Sequence, residues 1–141
     1  MQRPVCTTCG QLKSALTRAT PCAVMAGMGL VSGGKMRNLE GKWLVIVTAP
    51  KSLAVVMNPL RDHKIIDGAG NGHNRIAGVD WGYFTYAPTD NGGYVLNYFD
   101  LRNPELLRGV RDTIYPNEDG SWSGQMFMDG RYVLSFDLRR A

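Results

Sequence analysis

The clearest pattern of apolar and polar positions lies at the C-terminal end of the chain. Two β-prone runs, residues 121–128 and residues 131–138, flank the dipeptide Asp129-Gly130. Both positions of a two-residue type I′ turn need a positive φ, which Asp and Gly adopt more readily than other residues. The sequence therefore predicts a tight hairpin in which Met128 pairs with Arg131.

Uninterrupted pairing from this turn divides the hairpin into two faces. The face expected to point into the core carries Tyr132, Leu134, Phe136 and Leu138 at period two. The opposite face then carries an apolar stripe of Trp122, Met126, Met128 and Val133. Four large apolar side chains in one stripe exceed ordinary solvent exposure, so we expect another surface to cover them. We expect a homodimer through it, because Met adapts to partner surfaces and Trp is common at interface centres. There are two alternatives: the N-terminal segment covers the stripe, or the stripe faces the interior of a sandwich.

Shorter strand-like runs recur upstream, separated by turn signals. Residues 81–87 and 93–99 predict a hairpin with a longer loop, and residues 110–115 predict a strand that ends at Pro116. Residues 43–49 are apolar on both faces, which is typical of a covered strand. Residues 53–57 are interpreted as the partner of that strand, and residues 75–79 as a further strand. Residues 103–108 form the only helix-like piece, with Asn103 as its expected cap and Pro104 at its first helical position.

This spacing predicts an all-β domain of about seven or eight short strands. The expected architecture is a small antiparallel meander that closes into a barrel, with a sandwich as the alternative. The expected domain division is a loosely structured or short helical N-terminal arm, residues 1–38, followed by the β-barrel domain, residues 39–141. At 141 residues the chain is long enough for one domain but not for two ordinary ones.

The N-terminal arm differs from the rest in charge. Five Lys or Arg residues fall within residues 1–37, and the first carboxylate is Glu40. A cleaved targeting peptide, a helical arm around residues 11–18, or a natural start at Met36 would each explain this composition. The apolar stretch at residues 22–32 is too short to span a membrane. We expect a soluble, cytoplasmic protein unless the arm is a targeting peptide.

All three cysteines, Cys6, Cys9 and Cys22, belong to the arm. Cys6 and Cys9 have the spacing of half a zinc knuckle, but a structural zinc site needs four ligands, and the sequence has no second pair of this spacing. They are also interpreted as a redox dithiol, or as inert. No cofactor or metal is therefore expected.

Charge in the remainder of the chain is balanced. From Asn38 onward 11 Lys or Arg residues face 12 Asp or Glu residues. Binding to nucleic acid requires basic residues gathered on one face to neutralise phosphates. The sequence therefore predicts no nucleic-acid partner and no membrane span.

Two clusters offer candidate chemistry, and each also has a structural interpretation. The glycine-rich stretch at residues 67–74 is a candidate phosphate loop, although it lacks a complete phosphate-binding motif and is also expected of an ordinary loop. A candidate metal or acid–base cluster lies nearby, with a spacing that fits no known ligand pattern. Its members are Asp62, His63, Asp67 and His73.

Asp112 shares the predicted inward face of its strand with Val110 and Ile114. A carboxylate that faces a core is costly unless it is paired. One interpretation pairs it with an arginine such as Arg131 or Arg111. The other makes it the polar anchor of an aromatic cavity.

Several short motifs resemble those of lipocalins and the wider calycin group. Gly41-Lys42-Trp43 is similar to the G-x-W motif that opens their first strand. Thr89-Asp90 is similar to their second motif. The resemblance implies a barrel that binds small apolar ligands. It also implies that Arg139 or Arg140 covers Trp43.

The first functional hypothesis is a small lipocalin-like protein that binds an apolar or aromatic small molecule. Its expected ligand-binding residues are Trp81, Tyr83, Tyr98, Asp112 and Phe136. The second hypothesis is a non-catalytic interaction or assembly module with a filled core, acting as a homodimer or complex subunit. Enzymatic activity ranks third, because no residues form a convincing catalytic set. A cavity of roughly 300 Å³ or more would favour the first hypothesis over the second.

Overall fold

Eight antiparallel strands close into a barrel in which each strand pairs with the next along the chain and β8 returns to pair with β1. The computed structural model describes residues 37–141. The strands are β1 (Gly41–Ala49), β2 (His63–Ile66), β3 (Asn71–Ile76), β4 (Val79–Pro88), β5 (Tyr94–Asn97), β6 (Val110–Pro116), β7 (Trp122–Met128) and β8 (Arg131–Arg140). The predicted all-β meander barrel is confirmed. The N-terminal arm and its cysteines Cys6, Cys9 and Cys22 lie outside the described residues.

Three helical segments interrupt the strands. Helix α1 (Lys51–Met57) continues into a 3₁₀ turn (Asn58–Leu60), and a second 3₁₀ helix (Glu105–Gly109) precedes β6. The prediction of a strand at residues 53–57 is therefore wrong. Leu53, Ala54 and Met57 share one side of α1 and pack against the core, whereas Val55 and Val56 are exposed. Packing of this apolar side against the barrel outweighs the β propensity of two adjacent valines.

The upstream strands β2 and β3 depart most from the predicted boundaries. β2 was not predicted, and the strand expected at residues 75–79 is split by a turn at Ala77-Gly78. Both turn residues have positive φ, 52° at Ala77 and 80° at Gly78, which makes a tight connection between β3 and β4. Ala rarely adopts this conformation, so the sequence did not indicate a turn there.

The C-terminal hairpin turns where the sequence predicts. Met128 pairs with Arg131 across Asp129-Gly130, whose φ values are 51° and 82°. Beyond the next pair, Phe127 with Tyr132, the predicted register is wrong, because Met126 pairs with Leu134. Val133 is therefore an extra residue in β8. Such a β-bulge shifts all later pairs by one position.

The bulge moves the predicted exposed stripe into the barrel. Trp122 pairs with Leu138 and is 1% exposed, and Met126 lies on the inward face with Leu134 and Phe136. Tyr132, predicted to face the core, is instead exposed. Met128 and Val133 are half-buried beside the core. The prediction of an outer stripe is wrong, and the argument for a homodimer through Trp122, Met126, Met128 and Val133 loses its basis.

The core fills one end of the barrel and leaves the other end more open. We call the first the closed end. Its buried side chains are Leu39, Trp43, Ile66, Phe84, Leu96, Ile114, Trp122 and Leu138. Space for them depends on small residues opposite large ones. A Cβ on Gly124 would lie 2.5 Å from the Phe136 ring and 2.8 Å from Ile114. The other end, which we call the open end, carries α1 and the connections β3–β4, β5–β6 and β7–β8.

Candidate functional site

A buried ion pair lies inside the barrel near the open end. Lys64, on β2, and Asp112, on β6, approach to 3.3 Å between Nζ and Oδ2, with side chains 5% and 4% exposed. The Lys64 ammonium also donates to Tyr98 Oη at 2.5 Å and to Asn74 Oδ1 at 3.0 Å. Tyr98 in turn donates to Asp112 Oδ2 at 2.9 Å. Each of the three ammonium protons therefore has an acceptor.

Aromatic rings surround the same ammonium. Lys64 Nζ lies 5.2 Å from the ring centroid of Tyr98, 5.3 Å from that of Phe84 and 5.6 Å from that of Phe136. The electron-rich face of an aromatic ring attracts a cation, most strongly where water is excluded. The rings thus compensate part of the cost of burying the charge.

The environment of Lys64 favours its charged form. Burial alone would lower the pKa of Lys64, but the interactions with Tyr98, Asp112 and Asp62 outweigh burial and raise this pKa above its ordinary value. Burial raises the pKa of the Asp112 carboxyl, against the opposing effects of Lys64 and the Tyr98 hydroxyl. A protonated and fully bonded ammonium is a structural charge and not a nucleophile.

A cavity of about 70 Å³ lies between this ion pair and the open end. Its wall is mainly apolar, formed by β1, β6, β7 and β8 together with α1 and the second 3₁₀ helix. The apolar lining residues are Val45, Val47, Met57, Leu107, Val110, Met126, Leu134 and Phe136. Helix α1 is fixed beside the cavity by Asn58, which accepts from the Val47 N–H at 2.8 Å and donates to the Val47 carbonyl at 3.0 Å.

Two polar groups in the cavity wall lack protein partners. Asp62 Oδ1 and Trp81 Nε1 are both buried, and neither makes a hydrogen bond of good geometry among residues 37–141, although the indole N–H lies close enough to the Asp62 carboxyl to lower its pKa. Burial raises the pKa of Asp62 to about 6, although the Lys64 charge and the nearby Trp81 indole N–H both favour the carboxylate. Asp62 therefore changes charge just below neutral pH, unlike an ordinary aspartate.

Four of the five predicted site residues line this cavity: Trp81, Tyr98, Asp112 and Phe136. Tyr83 does not. A β-bulge in β4, where Asn74 pairs with Trp81 but Gly72 pairs with Phe84, turns Tyr83 to an outer groove beside His73 and Arg102. The Arg102 guanidinium lies 4.0 Å from the Tyr83 ring centroid. Whether the four cavity residues bind a ligand stays a prediction.

Asn103 holds the β4 bulge in place. It is 2% exposed, accepts from the Tyr83 N–H at 2.8 Å, and donates to the carbonyls of Tyr83 and Tyr98 at 2.8 and 2.7 Å. The sequence suggested a helix cap at this position, but its side chain instead joins β4 to the end of β5. This link fixes the backbone that carries Trp81 and Tyr98 into the cavity.

The partner of Asp112 is Lys64, and the predicted pairing with Arg131 or Arg111 is wrong. Arg111 donates to the carbonyls of Val110 and Arg108 on the outside of the barrel. Sequence reasoning missed Lys64 and Asn74 as site residues because β2 and β3 were not recognised as strands. It singled out Asp62, but as a member of a metal or acid–base cluster and not of the cavity wall. The available signal was Lys64 at period two from Ile66, on the same inward face.

The predicted metal or acid–base cluster is dispersed. Within residues 37–141 no three His, Cys, Asp or Glu side chains come together as metal ligands. Asp67 accepts hydrogen bonds from the N–H groups of Ala69 and Asn71 and closes a turn, and His73 Nε2 lies 3.4 Å from Asp80. In the glycine-rich stretch, Gly72 makes room for the Phe84 ring, which a Cβ would meet at 2.4 Å.

A Trp–Arg pair at the closed end agrees with the resemblance seen in the sequence. The Arg140 guanidinium lies 4.0 Å from the Trp43 ring centroid and donates to the Glu40 carbonyl at 2.9 Å. The Trp43 indole N–H donates to the Leu39 carbonyl at 2.8 Å. Arg140, and not Arg139, is therefore the residue that covers the tryptophan.

The chain matches no known protein family, no curated protein and no solved structure. The likeness to lipocalins and calycins thus consists of the barrel, its short motifs and the covered tryptophan. Between residues 37 and 141 no helix has the length and apolar character needed to cross a membrane.

Asp62 is expected to make stability depend on pH. Its pKa of about 6 in the folded state exceeds the ordinary value of 3.8, so the folded protein holds this proton more tightly. The contribution to stability is present below about pH 4 and is lost as pH rises towards 6, by about 2 kcal/mol after allowance for solvent screening.

The Asp62→Asn variant should therefore gain stability relative to the wild type as pH rises from 4 to 7. Urea unfolding of both proteins across this range measures the difference. Asp67→Asn is the matched control: hydrogen bonds lower the pKa of Asp67, so the pH dependence that this group causes lies mainly below pH 4, and the difference between Asp67→Asn and wild type should change little from pH 4 to 7. A difference between Asp62→Asn and wild type that does not change with pH would contradict the prediction.

Proposed function

We propose that the barrel binds a compact, largely apolar small molecule in the cavity at its open end. The observation that supports this most is the pair of buried atoms, Asp62 Oδ1 and Trp81 Nε1, without protein partners in an apolar wall. A buried polar group left unpaired costs about 1–3 kcal/mol. A ligand that carries a donor for Asp62 and an acceptor for Trp81 would remove both penalties.

The size of the cavity limits the ligand. Sites for drug-sized molecules usually measure about 300–1,000 Å³, and this cavity measures about 70 Å³. The space suits a small molecule of a few heavy atoms, or the inserted end of a longer one. A ligand of the size of a retinoid or fatty acid would not be enclosed.

The chemistry of the wall defines the preferred end group. Above about pH 6 Asp62 is an acceptor, so we expect an amide, hydroxyl or ammonium group to lie against it. Met57 and Met126 line the same space with flexible, polarizable side chains that adapt to the shape of an apolar ligand. Lys64 and Asp112 are already bonded to one another, so they shape the floor of the site.

Native mass spectrometry of the purified full-length protein tests the proposal, because it detects co-purified small molecules and reports the oligomeric state. A mass increment that survives mild desolvation and is lost on denaturation is the expected result. A fragment library with amide and amine end groups, screened by thermal shift, provides ligands if none co-purifies. The absence of both increment and hits would contradict the proposal.

Matched phenylalanine variants separate cavity binding from surface binding. Val45→Phe should fill the cavity from β1 and reduce affinity for any ligand found by at least about tenfold. Val95→Phe, on β5 and outside the cavity lining, should leave affinity within about twofold. Equal effects of the two variants would place the ligand elsewhere.

The cavity of about 70 Å³ is well below the roughly 300 Å³ that would favour ligand binding, so its size favours the second candidate function, an interaction or assembly module with a nearly filled core. Under this alternative, a few water molecules satisfy Asp62 and Trp81. The ligand screen then fails, Val45→Phe behaves like Val95→Phe, and the protein acts through its surface.

A further inference from the structure

Exposed apolar side chains are concentrated at the open end of the barrel. Nine large hydrophobic residues are exposed between residues 37 and 141, and seven of them lie in or beside connections at this end, with 51–77% of their surface accessible. We call these seven the apolar rim: Val55, Val56, Leu60, Val79, Phe99, Leu101 and Leu106. An eighth residue, Tyr132, is second in β8 at the same end, and Tyr115 belongs to the closed end.

The topology of the barrel explains why these residues share one end. In an antiparallel meander, every connection from an odd to an even strand lies at the same end. The rim comes from three such connections: residues 50–62, 77–79 and 98–109. Met57 and Leu107, from two of these connections, line the cavity. The rim therefore stands around the mouth of the candidate site.

Charge is distributed unevenly between the two ends. Apart from the buried Lys64–Asp112 pair, the connections and adjoining strand ends of the open end carry seven basic and five acidic residues. The basic residues are Lys51, Arg61, Arg75, Arg102, Arg108, Arg111 and Arg131, and the acidic residues are Asp62, Asp80, Asp100, Glu105 and Asp129. Two of the arginines are ion-paired, Arg75 with Asp80 and Arg102 with Asp100. The closed end has more acidic than basic residues, owing to Glu40, Asp67, Asp90, Glu118 and Asp119. The closed end has basic residues as well, Arg37, Lys42, Arg139 and Arg140, so the two ends differ in net charge, and most of the exposed large apolar side chains lie at the more basic end.

We propose that the open end of the barrel docks onto an anionic lipid surface, with the apolar rim inserted among the acyl chains and the basic residues at the head groups. Apolar patches beyond ordinary size mark interaction sites. Interfacial binding increases with buried apolar area and with basic residues near anionic lipid. Docking in this orientation would bring the cavity mouth to the bilayer.

The observations favour lipid over a second copy of the chain or another protein. Two open ends facing each other would bring like positive charges together. The rim side chains lie on three separate connections around the cavity mouth. A fluid lipid surface adapts to such separate protrusions, whereas a protein partner requires one continuous patch. The described chain enters at the opposite end, where Arg37 donates to the Asn117 carbonyl at 2.6 Å.

Vesicle sedimentation of the full-length protein tests the proposal. We expect binding to vesicles of equal parts phosphatidylglycerol and phosphatidylcholine, and at least several-fold weaker binding to phosphatidylcholine alone. The double variant Leu101→Asp/Leu106→Asp should reduce the partition coefficient by about tenfold or more. Tyr115→Asp, which alters the exposed residue of the closed end, is the matched control and should remain within about twofold.

Insertion is measured by quenching with lipids brominated on their acyl chains. A tryptophan placed in the rim by Leu106→Trp should be quenched on vesicle binding, whereas Tyr115→Trp should not be. The native tryptophans Trp43, Trp81 and Trp122 are the same in both variants, so they contribute equally to the two signals, and the difference between the variants reports the introduced residue. This second measurement does not depend on a destabilising substitution.

Each contrary outcome identifies another surface. Binding that persists in the double variant would assign the affinity to the basic N-terminal arm and overturn the proposal. Equal quenching of Leu106→Trp and Tyr115→Trp would also overturn the proposal. So would the absence of vesicle binding by the wild type. A dimer in solution that the double variant dissociates would identify a second copy as the occupant of the rim.

Discussion

Replacing Lys64 with methionine should destabilise the protein by about 3–5 kcal/mol, one of the two largest effects expected of a single substitution in the barrel. The change leaves Asp112 buried with no opposing charge, and it removes hydrogen bonds to Tyr98 and Asn74. Methionine is close in length to lysine, so packing among the rings of Phe84, Tyr98 and Phe136 is largely kept. Urea unfolding at neutral pH measures the loss.

The paired variant distinguishes an ion-pair effect from a packing effect. Lys64→Met/Asp112→Leu removes both charges and should recover much of the stability lost by Lys64→Met alone. The residual loss reflects the Tyr98 hydroxyl, which then lacks both partners. Lys42→Met, at an exposed lysine of β1, should change stability by at most about 0.5 kcal/mol. Additive losses in the double variant would show that the two charges do not stabilise each other.

Replacing Trp122 with alanine should cost about 3–5 kcal/mol, because it removes a large ring from the closed end of the core. Trp122 is 1% exposed and packs beside Tyr94, with ring centroids 5.7 Å apart. Chemical unfolding measures the loss, and sedimentation velocity measures the oligomeric state. Tyr132→Ala, at an exposed position of β8, should cost about 1 kcal/mol or less.

This comparison also tests the hairpin register. With the register expected from uninterrupted pairing, Trp122 would lie in an outer stripe, and its loss would change self-association more than folding. With the bulge at Val133, its loss should lower stability without a specific effect on assembly. Nearly equal stabilities of Trp122→Ala and Tyr132→Ala would argue against the bulged register.

Turns with a stereochemical requirement were predictable from sequence, whereas bulges were not. Asp129-Gly130 needs two positive φ values, and few dipeptides supply them, so the turn and its first pair could be predicted. The bulge at Val133 places one extra residue in a strand of ordinary composition. Its location depends on how the Trp122 and Phe136 side chains fit inside the closed barrel, which is a property of the tertiary structure.

The candidate site was predictable only in part, for a related reason. Asp112 and Phe136 lie on strands with strong period-two patterns, and Tyr98 directly follows β5 in a run that the sequence predicts as a strand, so these residues could be proposed for the site. Lys64 lies on a four-residue strand between a helix and a glycine-rich turn, where the pattern is too short to recognise. Predicting the ion pair would therefore have required a long-range contact between β2 and β6, which the local sequence does not encode.

The return of β8 to β1 gives the barrel a circular strand order. The N–H of Ala141 donates to the carbonyl of Lys42 at 3.1 Å, so the last described residue lies beside the first strand. A circular permutant would join residue 141 to the start of β1 and begin at the exposed Asn91-Gly92 turn. It would keep every neighbouring pair of strands and lose only the covalent link between β4 and β5. In terms of connectivity, the order of the sequence is one of several that would encode the same ring of strands, and the cavity mouth lies at the end of the barrel opposite residues 37 and 141.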